Sequence, residues 1–277
     1  MPMLIGTSGW QYQDWRGVLY PPGVPQARWL EHYAQRYPTV ENNGTFYRLA
    51  APGTFASWRE RTPDGFLMAV KASRYMTHVR RLQDPAEPVG RLLTAAVQLG
   101  PRLGPVLLQL PPTLQADLDA LDACLTAFAR FRPPPDTPPG LPAIRVAVEF
   151  RHESWWTQET KQLLARHDAA LSWADRGEQP LTPLWRTATW AYLRLHEGAG
   201  RSWPRYTRAT LQRWVRALAD RWPQAADAFV YFNNDQHGAA PRDADEFAAL
   251  ARDAGRPVRS PAPRAVTSPG PGPGPAA

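Results

Sequence analysis

Apolar residues along this chain gather in eight short runs, most of them closing on a polar or charged side chain. The runs cover residues 3–8, 39–43, 66–71, 105–110, 145–151, 169–175, 190–196 and 227–233. Most gaps between them are long enough for a helix, and that alternation predicts an α/β fold, a single-domain (β/α)8 TIM barrel. Helical spacing supports the gaps. Leu114, Leu118, Leu121, Leu125 and Phe128 share one face in the fourth, and Leu211, Trp214, Val215, Leu218 and Trp222 do so in the seventh. Residues 26–37, 54–61, 85–99, 156–167 and 243–253 complete the expected helices. The stretch 177–189 carries Pro180 and Pro183, so the sixth helix is expected to be short or missing.

Side chains alternate across a strand, which sorts those facing the barrel lumen from those facing the helices. Val146, Val148 and Phe150 suit helix contact, leaving Ala147, Glu149 and Arg151 inward; by the same logic Tyr192, Arg194 and His196 face inward from the seventh strand. The rule also turns in Glu41, Asn43 and Thr45, then Ala69 and Lys71, then Leu107 and Gln109. From the last strands it selects Trp173 with Asp175, and Tyr231 with Asn233. Within each strand the polar residue comes last. The expectation is a packed lower barrel under a polar ring at the strands' C-terminal ends, where such barrels carry their chemistry.

Length and composition fit one barrel of ordinary size: 277 residues, 43% apolar and 21% charged. No apolar run approaches the roughly 18 residues of a membrane span, and no secretory leader is evident, so a cytoplasmic protein is expected. The single cysteine, Cys124, falls on the apolar stripe of the fourth helix and reads as packing; one cysteine excludes an internal disulfide. The net charge of +7 is a weak pointer to nucleic acid. Arg256, Arg259 and Arg264 supply three of those charges within a Pro/Gly-rich stretch, residues 256–277, which is expected to be a disordered tail behind a domain spanning 1–255. Residues 132–142 are also Pro-rich and read as a rigid connector. Only Lys71 and Lys161 are lysine among 32 basic residues, which makes a lysine at a strand end conspicuous.

Several segments in order resemble the YecE-like family of TIM barrels. They are GTSGWQYQDWRGVLYP (6–21), VENNGTFYR (40–48), TPDGFLMAVKASRYMTH (62–78), LGPVLLQLPPT (103–113), VEFRHESWW (148–156), YLRLHEG (192–198) and FVYFNND (229–235). The resemblance covers nearly everything before the tail. One departure is Asn42, where an aliphatic residue usually follows the strand-two glutamate. The resemblance implies the barrel and brings no established reaction, substrate or cofactor.

Function therefore rests on the ring. Burying so many charges is costly unless they are paired or used, and a self-neutralising salt-bridge network is the plain alternative to a ligand site. The favoured reading is a pocket for a small anionic or polyhydroxylated ligand, worked on by a hydrolase or lyase. In it Glu149, Glu41 and Lys71 carry acid/base or covalent chemistry. Arg151, Arg194, His196, Asn43, Gln109, Asp175, Asn233 and Trp10 bind the ligand. Arginine suits paired hydrogen bonds to phosphate or carboxylate. The cations disfavour a divalent ion, no HxH or HExxH spacing is present, and neither metal nor cofactor is assigned. Two rivals stand beside this reading: a metal-dependent nucleic-acid phosphodiesterase of endonuclease-barrel type, and a ligand-binding barrel without turnover. No membrane partner is expected.

Overall fold

The computed structural model describes residues 2–199, 203–223 and 225–261. All eight apolar runs form strands: β1 (Met3–Thr7), β2 (Thr39–Asn42), β3 (Leu67–Lys71), β4 (Leu103–Gln109), β5 (Val146–Glu149), β6 (Ala170–Arg176), β7 (Ala191–Leu195) and β8 (Ala228–Phe232). Each pairs in parallel with its sequence neighbour from β2 round to β8, and β8 pairs with β1. Among the described residues, seven α-helices longer than a single turn lie between or after them: α1 (Trp29–Arg36), α2 (Pro52–Glu60), α3 (Ala86–Ala96), α4 (Leu118–Arg130), α5 (Gln158–Arg166), α6 (Arg208–Arg221) and α7 (Ala239–Asp253). The architecture is the expected (β/α)8 barrel.

Closure between β1 and β2 is thin, a parallel bridge of Ser8 with Glu41. A phenol fills the gap below it. The Tyr33 hydroxyl accepts from the Thr7 amide at 2.8 Å and donates to the Thr39 carbonyl at 3.0 Å, standing in for a ladder bond. Gly6 allows this approach, because a Cβ there would lie 2.1 Å from the Thr39 carbonyl oxygen.

Interior packing is lopsided. Trp190, Tyr192, Phe229 and Tyr231, at or beside β7 and β8, fill the lumen against Ala69 and Ala147 from β3 and β5 and Ala170 from the neighbouring β6. Large side chains from one half thus occupy the room that small ones leave in the other, as close packing requires. This asymmetry corrects one assignment. On β6 the small residues Ala170, Ser172 and Ala174 alternate with Leu171, Trp173 and Asp175. Trp173 and Asp175 point outward: the Trp173 ring lies 4.9 Å from Trp222 and 6.0 Å from Trp214 of α6. An indole at position 173 has no space in a lumen already filled by four aromatic rings.

No helix follows β6. Gly177 and Glu178, both at positive φ, turn the chain into a short hairpin in which Gln179–Pro180 pairs with Asp175 and Arg176. The loop beyond does part of the covering, with Thr182 and Thr187 hydroxyls accepting from the Ala174 and Leu171 amides. Cys124 is buried on α4, and burial pushes its thiol up to about 12, so it stays protonated.

The packed chain continues past the expected boundary at residue 255. The Met3 amide donates to Pro257 at 2.7 Å, and the Arg259 amide donates to Met3 at 2.9 Å, extending the sheet edge beneath β1. The rest of the expected tail, from residue 262, lies outside the described residues.

Candidate functional site

Strand ends bring most of the expected residues to one mouth. Arg194, at the end of β7, is 1% exposed and reaches across the lumen. Its Nη2 and Nε donate to Glu41 Oε1 at 2.9 and 3.2 Å, and its Nη1 donates to Glu149 Oε2 at 2.6 Å. Glu41 also accepts from Ser8 Oγ at 2.7 Å and from the Tyr192 hydroxyl at 2.6 Å. With four donors and no exposure, this carboxylate is fully occupied. Ser8 and Tyr192 were absent from the expected site. The signal for Tyr192 was its inward register two residues before Arg194; Ser8 carried the same register at the end of β1.

Glu149 is held from the other side by Arg151, whose Nε donates to Oε1 at 3.0 Å while a third of that side chain stays exposed. Burial alone would raise the Glu149 carboxyl, but Arg194, His196 and Arg151 outweigh it and hold it well below the usual carboxylate range. His196 Nδ1 faces the Asn233 amide nitrogen at 3.1 Å and accepts from it, which leaves the proton on Nε2. That Nε2 sits 3.5 Å from Glu149 Oε1, at the outer limit of a hydrogen bond, and has no other partner among the described residues. Burial lowers His196, partly countered by Glu149, so the imidazole is neutral near pH 7.

Lys71, at the end of β3, differs from these groups. It is 9% exposed and pairs with no carboxylate; its ammonium lies 4.3 Å from the centre of the Phe46 ring, a cation–π contact. Burial first, and the Arg194 charge next, bring it down to about 8. Thr45, in the single helical turn Gly44–Tyr47 after β2, donates to the Lys71 carbonyl at 2.7 Å and fixes the strand end. Gln109 stands in register beside Glu149 on the neighbouring strand. The exposed Arg74 and the half-buried His78 lie on the same side, and His78 is lowered by burial and by the charges of Arg74, Lys71 and Arg151.

Asp175 is not part of this ring. Its Oδ2 accepts from the Trp214 indole at 2.9 Å on the helix side of β6, and desolvation pushes its carboxyl up to about 6. Asn43 and Trp10 stand at one edge of the mouth, in the wall of a cavity of about 610 Å³. That cavity also contains Tyr12 and Thr45, but none of the ring's charged groups forms its wall. Among the described residues, no three His, Cys, Asp or Glu side chains converge as metal ligands.

Counting Lys71 as protonated, two carboxylates face three cations, so the ring is positive where it opens to solvent. Fold and site together define a TIM barrel whose C-terminal mouth is closed by a buried Glu–Arg–Glu bridge with a lysine beside it. The chain belongs to the family described as "protein of unknown function DUF72", whose model matches residues 4–267. It is 26% identical to the YunF protein of Bacillus subtilis over 266 residues, covering 85% of this chain and 90% of that one. It is 27% identical to YecE of Escherichia coli over 263 residues, covering 86% and 88%. A DUF72 family protein of Thermotoga maritima shares the fold with a TM-score of 0.72 at 24% identity, covering 91% of this chain and all of that one. Among the described residues no helix is long and apolar enough to cross a membrane.

Proposed function

We propose that the barrel mouth binds a small anionic ligand through Lys71 and Arg151, and that Lys71 moves a proton on it. The observation that carries this reading is the contrast between Lys71 and its neighbours. Glu41 is saturated by four donors, and Glu149 is held ionised by two arginines. A carboxylate far below its usual range is a poor acid and a weak base near neutrality. Arg194 is equally committed, since Nε, Nη1 and Nη2 all donate to carboxylates. Lys71 has no such partner, and at about 8 it exists in both forms near physiological pH. Charged, it holds an anion; neutral, it accepts a proton. Proton removal of the lyase kind suits one amine better than a hydrolysis needing two available acids.

Competitive labelling tests this directly, because Lys161 offers an internal reference and no further lysine competes. Acetic anhydride labelling followed by mass spectrometry should give Lys71 a midpoint of about 8. Inorganic phosphate should protect Lys71 but not Lys161, and Arg151→Met should weaken that protection. A Lys71 midpoint above about 10, the ordinary range of lysine, with no protection by phosphate, would remove the reading.

A further inference from the structure

The cavity beside the mouth differs in character from the ring. Its walls include Trp10, Tyr12, Leu49, Ala50 and Trp58, with Asn43 among the polar residues beside them. The indoles of Trp10 and Trp58 meet edge to face, 5.8 Å apart at 87°. At about 610 Å³ the space falls in the range, roughly 300–1,000 Å³, that takes a small organic molecule. Two features tie it to the mouth. Thr45 lines it and hydrogen-bonds the Lys71 carbonyl. Tyr12 lines it and feels the charges of Glu41 and Arg194.

We infer that this cavity is a subsite for a flat aromatic or heteroaromatic ring, belonging to the same ligand whose anionic group lies at Lys71 and Arg151. The inference rests on the anion reading above and specifies the substrate class. Arg48, exposed and without an ion pair, stands at the rim and adds to the positive field drawing an anion inward. A sugar fits these walls poorly. Each ring hydroxyl taken out of water needs its own hydrogen bond, and of the three hydroxyl-bearing walls Thr45 already donates to Lys71 and Tyr12 to Ser8, which leaves the exposed Thr54. Aromatic and aliphatic walls instead favour a planar apolar face, with geometry-dependent gains between rings.

Calorimetric titration with inorganic phosphate, phenyl phosphate and glucose 6-phosphate separates the two sites. Phenyl phosphate should bind about tenfold or more tightly than either of the others. Ala51→Trp, which fills the cavity from an exposed helix-capping position, should remove that advantage and leave phosphate binding as it was. Thr54→Trp, also exposed on the cavity wall, provides a second filling if the first disturbs folding. Equal binding of phosphate and phenyl phosphate overturns the ring subsite while leaving the anion site standing. Phenyl phosphate binding that survives Lys71→Met but not Ala51→Trp keeps the cavity site and overturns the anion reading. Failure of every probe to bind overturns both.

Discussion

At the level of single residues, Arg194 and Asp175 show how one strand-end motif serves different ends. Arg194 neutralises two carboxylates that would otherwise be buried and unpaired. Its loss in Arg194→Met should cost about 3–5 kcal/mol, the usual penalty for breaking a buried pair from one side. The cost should be equal with and without phosphate in urea denaturation, because the guanidinium has little left for a ligand. Asp175 is the reverse case, a carboxylate whose charged form is disfavoured. Its ordinary value of 3.8 rises to about 6 in the folded protein, from desolvation that the Trp214 indole only partly offsets. Between those values the folded chain holds a proton that the unfolded chain has lost, so this group's contribution falls as pH rises through the window and stays low above it. Asp175→Asn keeps an acceptor for Trp214 and removes the charge. The variant should be more stable than wild type by about 1–3 kcal/mol at pH 7, with the advantage gone near pH 4. The inward register of Glu41, Lys71, Glu149 and Arg194 was legible from alternation alone. Asp175 was misplaced because the rule that the polar residue comes last overrode a better signal, the small face Ala170, Ser172 and Ala174. What alternation could not reveal was pairing: nothing in the spacing of Arg194 says that it reaches both Glu41 and Glu149.

At the level of elements, every strand appears within a few residues of its expected limits, because half-buried and fully buried strands leave short apolar runs between turn signals. The missing sixth helix was equally legible, since Pro180 and Pro183 leave no uninterrupted stretch for it. The β1–β2 seam was not. Its bridging group, Tyr33, sits on α1 within the expected helix 26–37, and helical spacing does not distinguish a residue that bonds two strands. The seam makes a prediction. Tyr33→Phe keeps the ring against Phe66 but removes the hydroxyl that serves Thr7 and Thr39. Two buried backbone groups lose a partner, and each such loss costs about 1–3 kcal/mol. Stability should therefore fall by about 2–6 kcal/mol, with the Thr7 amide exchanging with deuterium faster relative to amides in β7 and β8. Unchanged Thr7 exchange would mean that the seam holds without the phenol.

For the whole molecule, the open question is where the barrel ends. Composition places the change of character near residue 255, where proline and glycine begin to dominate. Backbone pairing does not respect that boundary. Met3 exchanges hydrogen bonds with Pro257 and Arg259, and Val258 packs against the core from beneath β1. Arg256 is itself 7% exposed. The family match runs on to residue 267. Two truncations divide these contributions. Removing residues 262–277 takes away a segment with little apolar surface and should alter stability by no more than about 0.5 kcal/mol, the usual range for surface changes. Removing 256–277 also takes the two hydrogen bonds to Met3 and the Val258 side chain. At about 1 kcal/mol for each bond and 1.5–3 kcal/mol for burying a side chain of this size, the loss should be about 2–4 kcal/mol, since Val258 is only partly buried. Urea denaturation of the two truncated proteins beside the full chain measures both steps. Equal stability of the pair would mean that the strand-like contact at Val258 contributes nothing, and that the barrel is complete at Gly255.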